Sequence, residues 1–283
     1  GAGADIVGRT YSEELARALG QPVVVDNKGG GAQVIATQIV ANAAPDGYTL
    51  LLATVTHAIN PGLHHKLPYD SIADFTPISG VASSDLLIVA HPALGVTTVG
   101  QLVAKAKGSP GAIDFGSAGL GSGGHLAIEL LKNVAGIDLT HVPYSGAGPA
   151  LKDLLSGTVQ LVCTSPLAAM PFVKEGRLRA LAVTSARRST LWPELPTVAE
   201  AGFPGYRATL WYVLLGPAKL PAAIVARAND AAGKVLGAPA LADKFRGLGA
   251  ETMHNTPAAL DAFIREEVDR WTKVIETAKI ART

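Results

Sequence analysis

Along the chain, short runs of consecutive apolar residues alternate with longer stretches in which apolar positions recur every three to four residues. The first pattern reads as buried strand and the second as one face of a helix. Residues 23–25 (Val-Val-Val) predict a strand ahead of a helix over 32–43, and 48–53 predict a second strand. Residues 112–115 precede a helical pattern from about 122 to 134, and 139–142 precede a short one over 149–155. Residues 159–163 precede another over 168–174, and 178–183 predict one more strand. Strand–helix alternation of this kind predicts an α/β fold of parallel sheets with helices on both faces. The last stretch differs. Leu260, Phe263, Ile264, Val268, Trp271 and Ile275 keep helical spacing, which predicts one long amphipathic helix, with Thr256 as N-cap and Pro257 in the first turn.

Two apolar runs that end in proline, 86–92 and 210–217, read as crossings between two lobes. On that reading residues 1–92 and 213–283 form the first lobe, and 93–212 are a second lobe inserted into it. The chain shows no internal repeat and no low-complexity segment.

Composition narrows the classes. At 283 residues, 48% hydrophobic and 17% charged, the chain has ample material for two buried cores and is far from a disordered composition. Its 24 basic and 23 acidic residues are dispersed, leaving +1, so no nucleic-acid partner is expected. The apolar runs are too short to span a bilayer. A single cysteine, Cys163, excludes an internal disulfide and any multi-cysteine metal site.

Candidate chemistry gathers in glycine-rich turns. Gly1-Ala2-Gly3-Ala4-Asp5 opens a helix carrying Val7, Tyr11, Leu15 and Leu19; residues 116–125 (GSAGLGSGGH) open a second helix, and 144–148 (YSGAG) a third. Glycine permits a sharp turn and close backbone approach, and a helix N-terminus adds unpaired N–H groups and partial positive charge. Ser117 and Ser122 add hydroxyl donors, so an anion is held without arginine. A fourth polar segment, Thr54 to Asn60, follows the strand over 48–53. Each turn alone reads equally as a plain βα connection. Their shared position at the carboxyl ends of strands favours a ligand site.

Other readings compete. Residues 119–124 fit G-x-G-x-x-G, the turn of a nucleotide-dependent oxidoreductase, but the acidic residue expected at the end of the next strand is missing, because Asp138 precedes that strand. Ser122 and His125, one turn apart, suggest a hydrolase pair without an orienting carboxylate. His64-His65 lacks metal-ligand spacing and reads as loop. Cys163 and the tryptophans Trp192, Trp211 and Trp271 read as packing residues, with Trp211 near a presumed hinge.

Several ordered motifs resemble one family from end to end: GQPVVVDN at 20–27, APDGYTL at 44–50, INP at 59–61, LPYD at 67–70, DFTP at 74–77, GSAG at 116–119, HVPYSG at 141–146, LRALAV at 178–183 and PTVAEAG at 196–202. The chain resembles the solute receptors of tripartite tricarboxylate transporters, often called Bug proteins. The resemblance implies a two-lobed, type II periplasmic-binding (Venus-flytrap) fold with a cleft, no catalysis and no cofactor or metal. It also implies a periplasmic location, with a signal peptide and first strand expected ahead of residue 1. The expected partners are a small carboxylate (a dicarboxylate, tricarboxylate or aromatic acid) and the transporter's membrane permease subunits, and a monomer is expected. A ligand-sensing domain of a regulator shares the fold and is a further alternative.

The expected contacts from the first lobe are Gly3, Asp5, Thr54, Thr56, His57 and Asn60. From the second lobe they are Ser117, Ala118, Gly119, Ser122, Gly123, Gly124 and His125, with Tyr144, Ser145, Thr164 and Ser165 along the wall. Where the family's strand often ends in Asp-Asn, this chain reads Cys163-Thr164-Ser165-Pro166, so one acidic wall residue is absent and a more extended or more negative ligand fits.

Overall fold

The computed structural model describes residues 2–28 and 33–282. In chain order the elements begin with α1 (Ala2–Leu19), α2 (Val34–Ala41), β1 (Leu51–Thr54), α3 (Thr56–Leu63), β2 (Phe75–Asp85) and β3 (Leu87–Ala90). Next come α4 (Val99–Gly108), β4 (Asp114–Ser117), α5 (Gly123–Ala135), β5 (Thr140–Pro143), α6 (Ala147–Ser156), β6 (Leu161–Thr164), α7 (Pro166–Lys174) and β7 (Arg179–Val183). The chain closes with β8 (Thr209–Pro217), α8 (Ala222–Leu236), α9 (Pro239–Gly247), β9 (Glu251–Thr252) and α10 (Pro257–Thr277). None of these helices is long and apolar enough to cross a membrane.

The chain divides into two compact units: Gly1–Ser83 with Trp211–Glu276 and Ile280–Thr283, and Ser84–Leu210 with Thr277–Lys279. The sequence reading put the first boundary at 92/93. The structure puts it at 83/84, because the run 86–92 is no connector: β3 lies inside the second unit's sheet, paired on both sides. The second boundary falls at 210/211 rather than 212/213.

Unit 1 holds a four-stranded sheet in the order β1-β8-β2-β9, with β1 antiparallel to β8 and β2 antiparallel to β9. Unit 2 holds five strands in the order β5-β4-β6-β3-β7. There β4 runs parallel to β5 and β6, while β3 runs antiparallel to β6 and β7. The expectation of wholly parallel sheets is therefore corrected. The crossover through α7 joins β6 to β7, which run parallel to each other, and β3 is inserted between them in the opposite direction.

The run at 23–25 forms no strand. Val24 is 85% exposed and only Val23 packs on the core. Ala32, the first residue of the expected helix over 32–43, lies outside the described residues, and α2 starts at Val34. The eleven-residue β2 escaped the pattern reading because Pro77, Gly80 and four serines and threonines interrupt its apolar positions.

In unit 1, Val7, Tyr11 and Leu15 of α1 pack with Ile78 and Val81 of β2, Leu214 of β8, Val235 of α8 and Phe245 of α9. In unit 2, Leu87 and Val89 of β3 pack with Leu154 of α6, Val162 of β6 and Met170 of α7. Each large aliphatic side chain so buried contributes about 1.5–3 kcal/mol. Thr184, fully buried, ties the start of this unit to its end. Its hydroxyl lies 3.1 Å from both Leu86 N and Leu86 O and 2.5 Å from Ala208 O.

Candidate anion-binding site

Because β5, β4 and β6 are adjacent and parallel, their carboxyl ends reach the same edge of the unit 2 sheet. That edge is where open α/β sheets bind ligands. It collects Ser117 at the end of β4, with Ala118, Gly119, Ser122, Gly123, Gly124 and His125 after it. Tyr144 and Ser145 follow β5, and Thr164 ends β6 with Ser165 after it.

The β4–α5 loop builds the centre of this edge. Gly119 (φ 118°) and Gly121 (φ 72°) adopt conformations that other residues rarely reach. Ser122 N donates to Gly119 O (3.2 Å), closing the turn. Ser122 is the N-cap of α5, its hydroxyl oxygen accepting from His125 N (3.3 Å). Gly123 and Gly124 then occupy the first helical positions, where backbone N–H groups have no intrahelical acceptor and the helix dipole favours an anion. Side chains are excluded here on one flank: a Cβ on Gly124 would stand 2.1 Å from Cys163 O, and one on Gly123 would stand 2.7 Å from Leu210 Cδ2.

Several expected contacts turn inward. Ser117 is 1% exposed. Its hydroxyl oxygen accepts from Gly119 N (3.2 Å), and lies 3.1 Å from Gly119 O and 2.7 Å from His141 Nε2. The distance to His141 is that of a nucleophile and its base, but the oxygen is engaged inside the loop. His125 is also buried. Its Nδ1 accepts from Gly121 N (3.1 Å), its Nε2 lies 3.8 Å from Glu129 Oε1, and its ring stacks on His141 at 3.9 Å. Ser122 and His125 are therefore joined through the backbone N–H of His125, not through its ring. Burial, with Lys132 and His141 nearby, pushes His125 down to about 3, and burial with Lys132 pushes His141 down to about 4. Both rings are neutral at pH 7. Burial raises the Glu129 carboxyl, while Lys132 Nζ stands 3.0 Å from Glu129 Oε1.

On the wall, Tyr144 N donates to Ser117 O (3.0 Å) and Tyr144 OH donates to Asp153 Oδ2 (2.8 Å). Burial and Asp153 push the phenol up to about 12, so it stays protonated. Thr164 is buried at the end of β6, Ser145 is exposed, and Ser165 caps α7 without a side-chain bond. Asp138, the residue a dinucleotide fingerprint would need, lies before β5 and 3.9 Å from Lys132 Nζ.

Unit 1 carries its own polar cluster. Thr54 Oγ1 donates to Gln33 Oε1 (2.8 Å) and stands 3.1 Å from Thr56 Oγ1, while Gln33 Nε2 donates to Leu52 O (3.2 Å). His57 and Asn60 are fully buried. His57 Nε2 donates to Ser71 O (2.8 Å), and burial lowers its pKa to about 4. Asn60 Nδ2 donates to Tyr69 OH (3.3 Å). Gly3 lies in the first turn of α1. Asp5 accepts from Asn27 Nδ2 and from Arg9 Nε (2.9 Å), and these bonds hold its carboxyl below the usual range. Sequence reasoning missed two residues. Gln33 precedes α2 and meets Thr54 only after the chain has passed through α2 and β1, and His141 reaches the loop only because the sheet register pairs it with Phe115.

A family model described as the tripartite tricarboxylate transporter family receptor matches residues 7–280. The chain belongs to this family of solute receptors. It is 35% identical over 277 residues to protein BugT of Bordetella pertussis, covering 97% of this chain and 85% of that protein. Among solved structures, an R. palustris protein with adipate matches with a TM-score of 0.82 and 36% identity, covering 99% of this chain and 94% of that one. MatC from Rhodopseudomonas palustris with bound malate matches with a TM-score of 0.78 and 32% identity, covering 96% and 94%. The fold is thus the periplasmic-binding fold of such receptors, and the expectation drawn from the sequence motifs holds.

Proposed function

We propose that this receptor captures a small organic carboxylate in the periplasm, without transforming it, and presents it to the membrane permease subunits of a tripartite transporter. The observation that carries the reading is the edge of the unit 2 sheet. There the first-turn N–H groups of Gly123 and Gly124 and the hydroxyl of Ser122 form an anion cradle whose loop holds no cationic side chain. Dipoles and neutral donors stabilise a carboxylate in this arrangement, each charge-assisted bond contributing about 1.5–3 kcal/mol. Leu120, exposed on the loop after β4, and Leu167, exposed in the first turn of α7, suit a ligand with an aliphatic body. The bound adipate and malate of the two related structures are carboxylates of this class.

An enzyme reading is disfavoured. The Ser117 oxygen is enclosed and bonded within its own loop, and the ring of His125 faces Gly121 rather than Ser122. The test is a thermal-shift panel of adipate, L-malate, citrate and benzoate, followed by titration calorimetry. A ligand at one hundred times its Kd stabilises the folded state by about 2.7 kcal/mol. A rise in Tm with a measurable Kd for at least one acid is expected. No binding by any of them, or turnover of one, would overturn the proposal.

A further inference from the structure

We propose that His125 and His141 are positioning residues, a stacked pair of neutral imidazoles in opposite tautomers that holds the two halves of the anion-binding loop in place. The inference rests on the receptor reading for its functional consequence, and on geometry for its structural one.

The two rings lie 3.9 Å apart at an interplanar angle of 21°, and Phe115 stacks on His141 at 4.9 Å. One ring comes from the first turn of α5 and the other from β5, so a single stack ties helix to sheet directly beneath the loop. Each ring then addresses a different glycine. His125 Nδ1 accepts from Gly121 N. It must therefore be the bare nitrogen, which puts the proton on Nε2, facing Glu129 Oε1. His141 works through Ser117. That hydroxyl oxygen already accepts from Gly119 N, and its one proton has a nearer acceptor in His141 Nε2 (2.7 Å) than in Gly119 O (3.1 Å). His141 Nε2 is then bare and its proton sits on Nδ1. An Nδ1–H tautomer at His125 would set its N–H against that of Gly121 and displace the glycine, whereas an Nε2–H tautomer at His141 would donate to Ser117 Oγ and turn the hydroxyl proton to the more distant Gly119 O (3.1 Å). Gly119 and Gly121 flank Leu120 and lead into Ser122, so their placement sets where the N–H groups of Gly123 and Gly124 aim. Neither ring touches the ligand in this arrangement.

The experiment uses long-range 1H–15N spectra of the ligand-free protein at pH 7, amide exchange, and titration with adipate and L-malate. The expected result is an Nε2–H tautomer for His125 and an Nδ1–H tautomer for His141. His125→Leu is expected to expose the Gly121 amide to exchange and to weaken binding roughly tenfold, the scale of one buried hydrogen bond. His125→Asn, whose Oδ1 replaces Nδ1, recovers most of both. His141→Leu and His141→Gln give the same contrast at Gly119. An Nδ1–H tautomer or an imidazolium at His125 overturns the proposal, as does unchanged exchange at Gly121 in His125→Leu. Should neither acid bind any form, the receptor reading fails, while the tautomers and exchange rates still decide this one. Should the leucine variants not fold, the wild-type tautomers and the amide variants decide it.

Discussion

Gly124 abuts the main chain of the neighbouring strand so closely that a Cβ on it would stand 2.1 Å from Cys163 O. Backbone cannot retreat as a side-chain tip can, so Gly124→Ala must push α5 off β6. A loss of at least about 2 kcal/mol is expected, within the range for overpacking. Gly123→Ala meets only Leu210 Cδ2, at 2.7 Å, the end of a flexible side chain, and is expected to cost less. Urea unfolding of the two variants checks the order; equal stabilities would contradict it.

Ser122 both caps α5 and offers a hydroxyl to the anion. Ser122→Ala is expected to lower stability by about 1 kcal/mol through loss of the bond to His125 N. It should also weaken carboxylate binding by roughly tenfold, one decade per 1.4 kcal/mol. Calorimetry with the acid found in the thermal-shift panel measures the second effect. Unchanged affinity would remove Ser122 from the site.

Trp211 is anchored, not free to line a hinge. Its Nε1 donates to Glu267 Oε2 (2.8 Å), which also accepts from Trp271 Nε1 (3.2 Å), while Arg270 pairs with the other carboxylate oxygen. Glu267 is 1% exposed. Glu267→Ala removes the buried carboxylate that two indole N–H groups and the Arg270 guanidinium share, and a loss of about 3–5 kcal/mol is expected. A calorimetric Tm close to that of the parent would refute this account.

Three histidines make stability depend on pH. Burial lowers His57 to about 4, His125 to about 3 and His141 to about 4, against 6.5 for an unperturbed ring. Between those values the unfolded chain binds protons that the folded chain refuses, so stability rises with pH. The contribution is complete above about pH 6.5 and is lost as pH falls toward 4. The lowered carboxyls of Asp70 and Glu200 act only below their usual range, whereas Glu129, raised by burial, opposes the histidines above it, so the interval from 6.5 to 4.5 is read in a Glu129→Gln background. Denaturant midpoints across that interval are expected to fall steadily; a flat profile would contradict the neutral, buried rings.

The motifs at 44–50, 67–77 and 196–202 were legible as family markers, and the structure shows their work. Tyr48 N donates to Asp46 Oδ1 (3.0 Å), and Asp70 Oδ1 receives the N–H groups of Ile72 (2.7 Å) and Ala73 (2.8 Å). Thr197 and Glu200 cap each other's backbone N–H groups, at 3.0 Å and 2.9 Å. These are turns made by residues two or three positions apart, and local spacing encodes such chemistry directly.

The sequence by itself determined the local elements around the site: the glycine turn of 119–124, the helix that starts near Ser122 and the long amphipathic α10. It did so because caps, turns and helical faces depend on neighbours within about one turn. Only the tertiary structure decided which polar groups face outward. Ser117, His57, Asn60 and His125 look alike as candidates in sequence, yet each bonds inward, and His141 joins the loop through a strand register that no short pattern contains. The antiparallel course of β3 and the close approach of Gly124 to Cys163 were decided in the same way. Pairing between strands far apart in the chain fixes which side chains share a face, and burial then settles whether a hydroxyl or an imidazole meets a ligand or its own backbone.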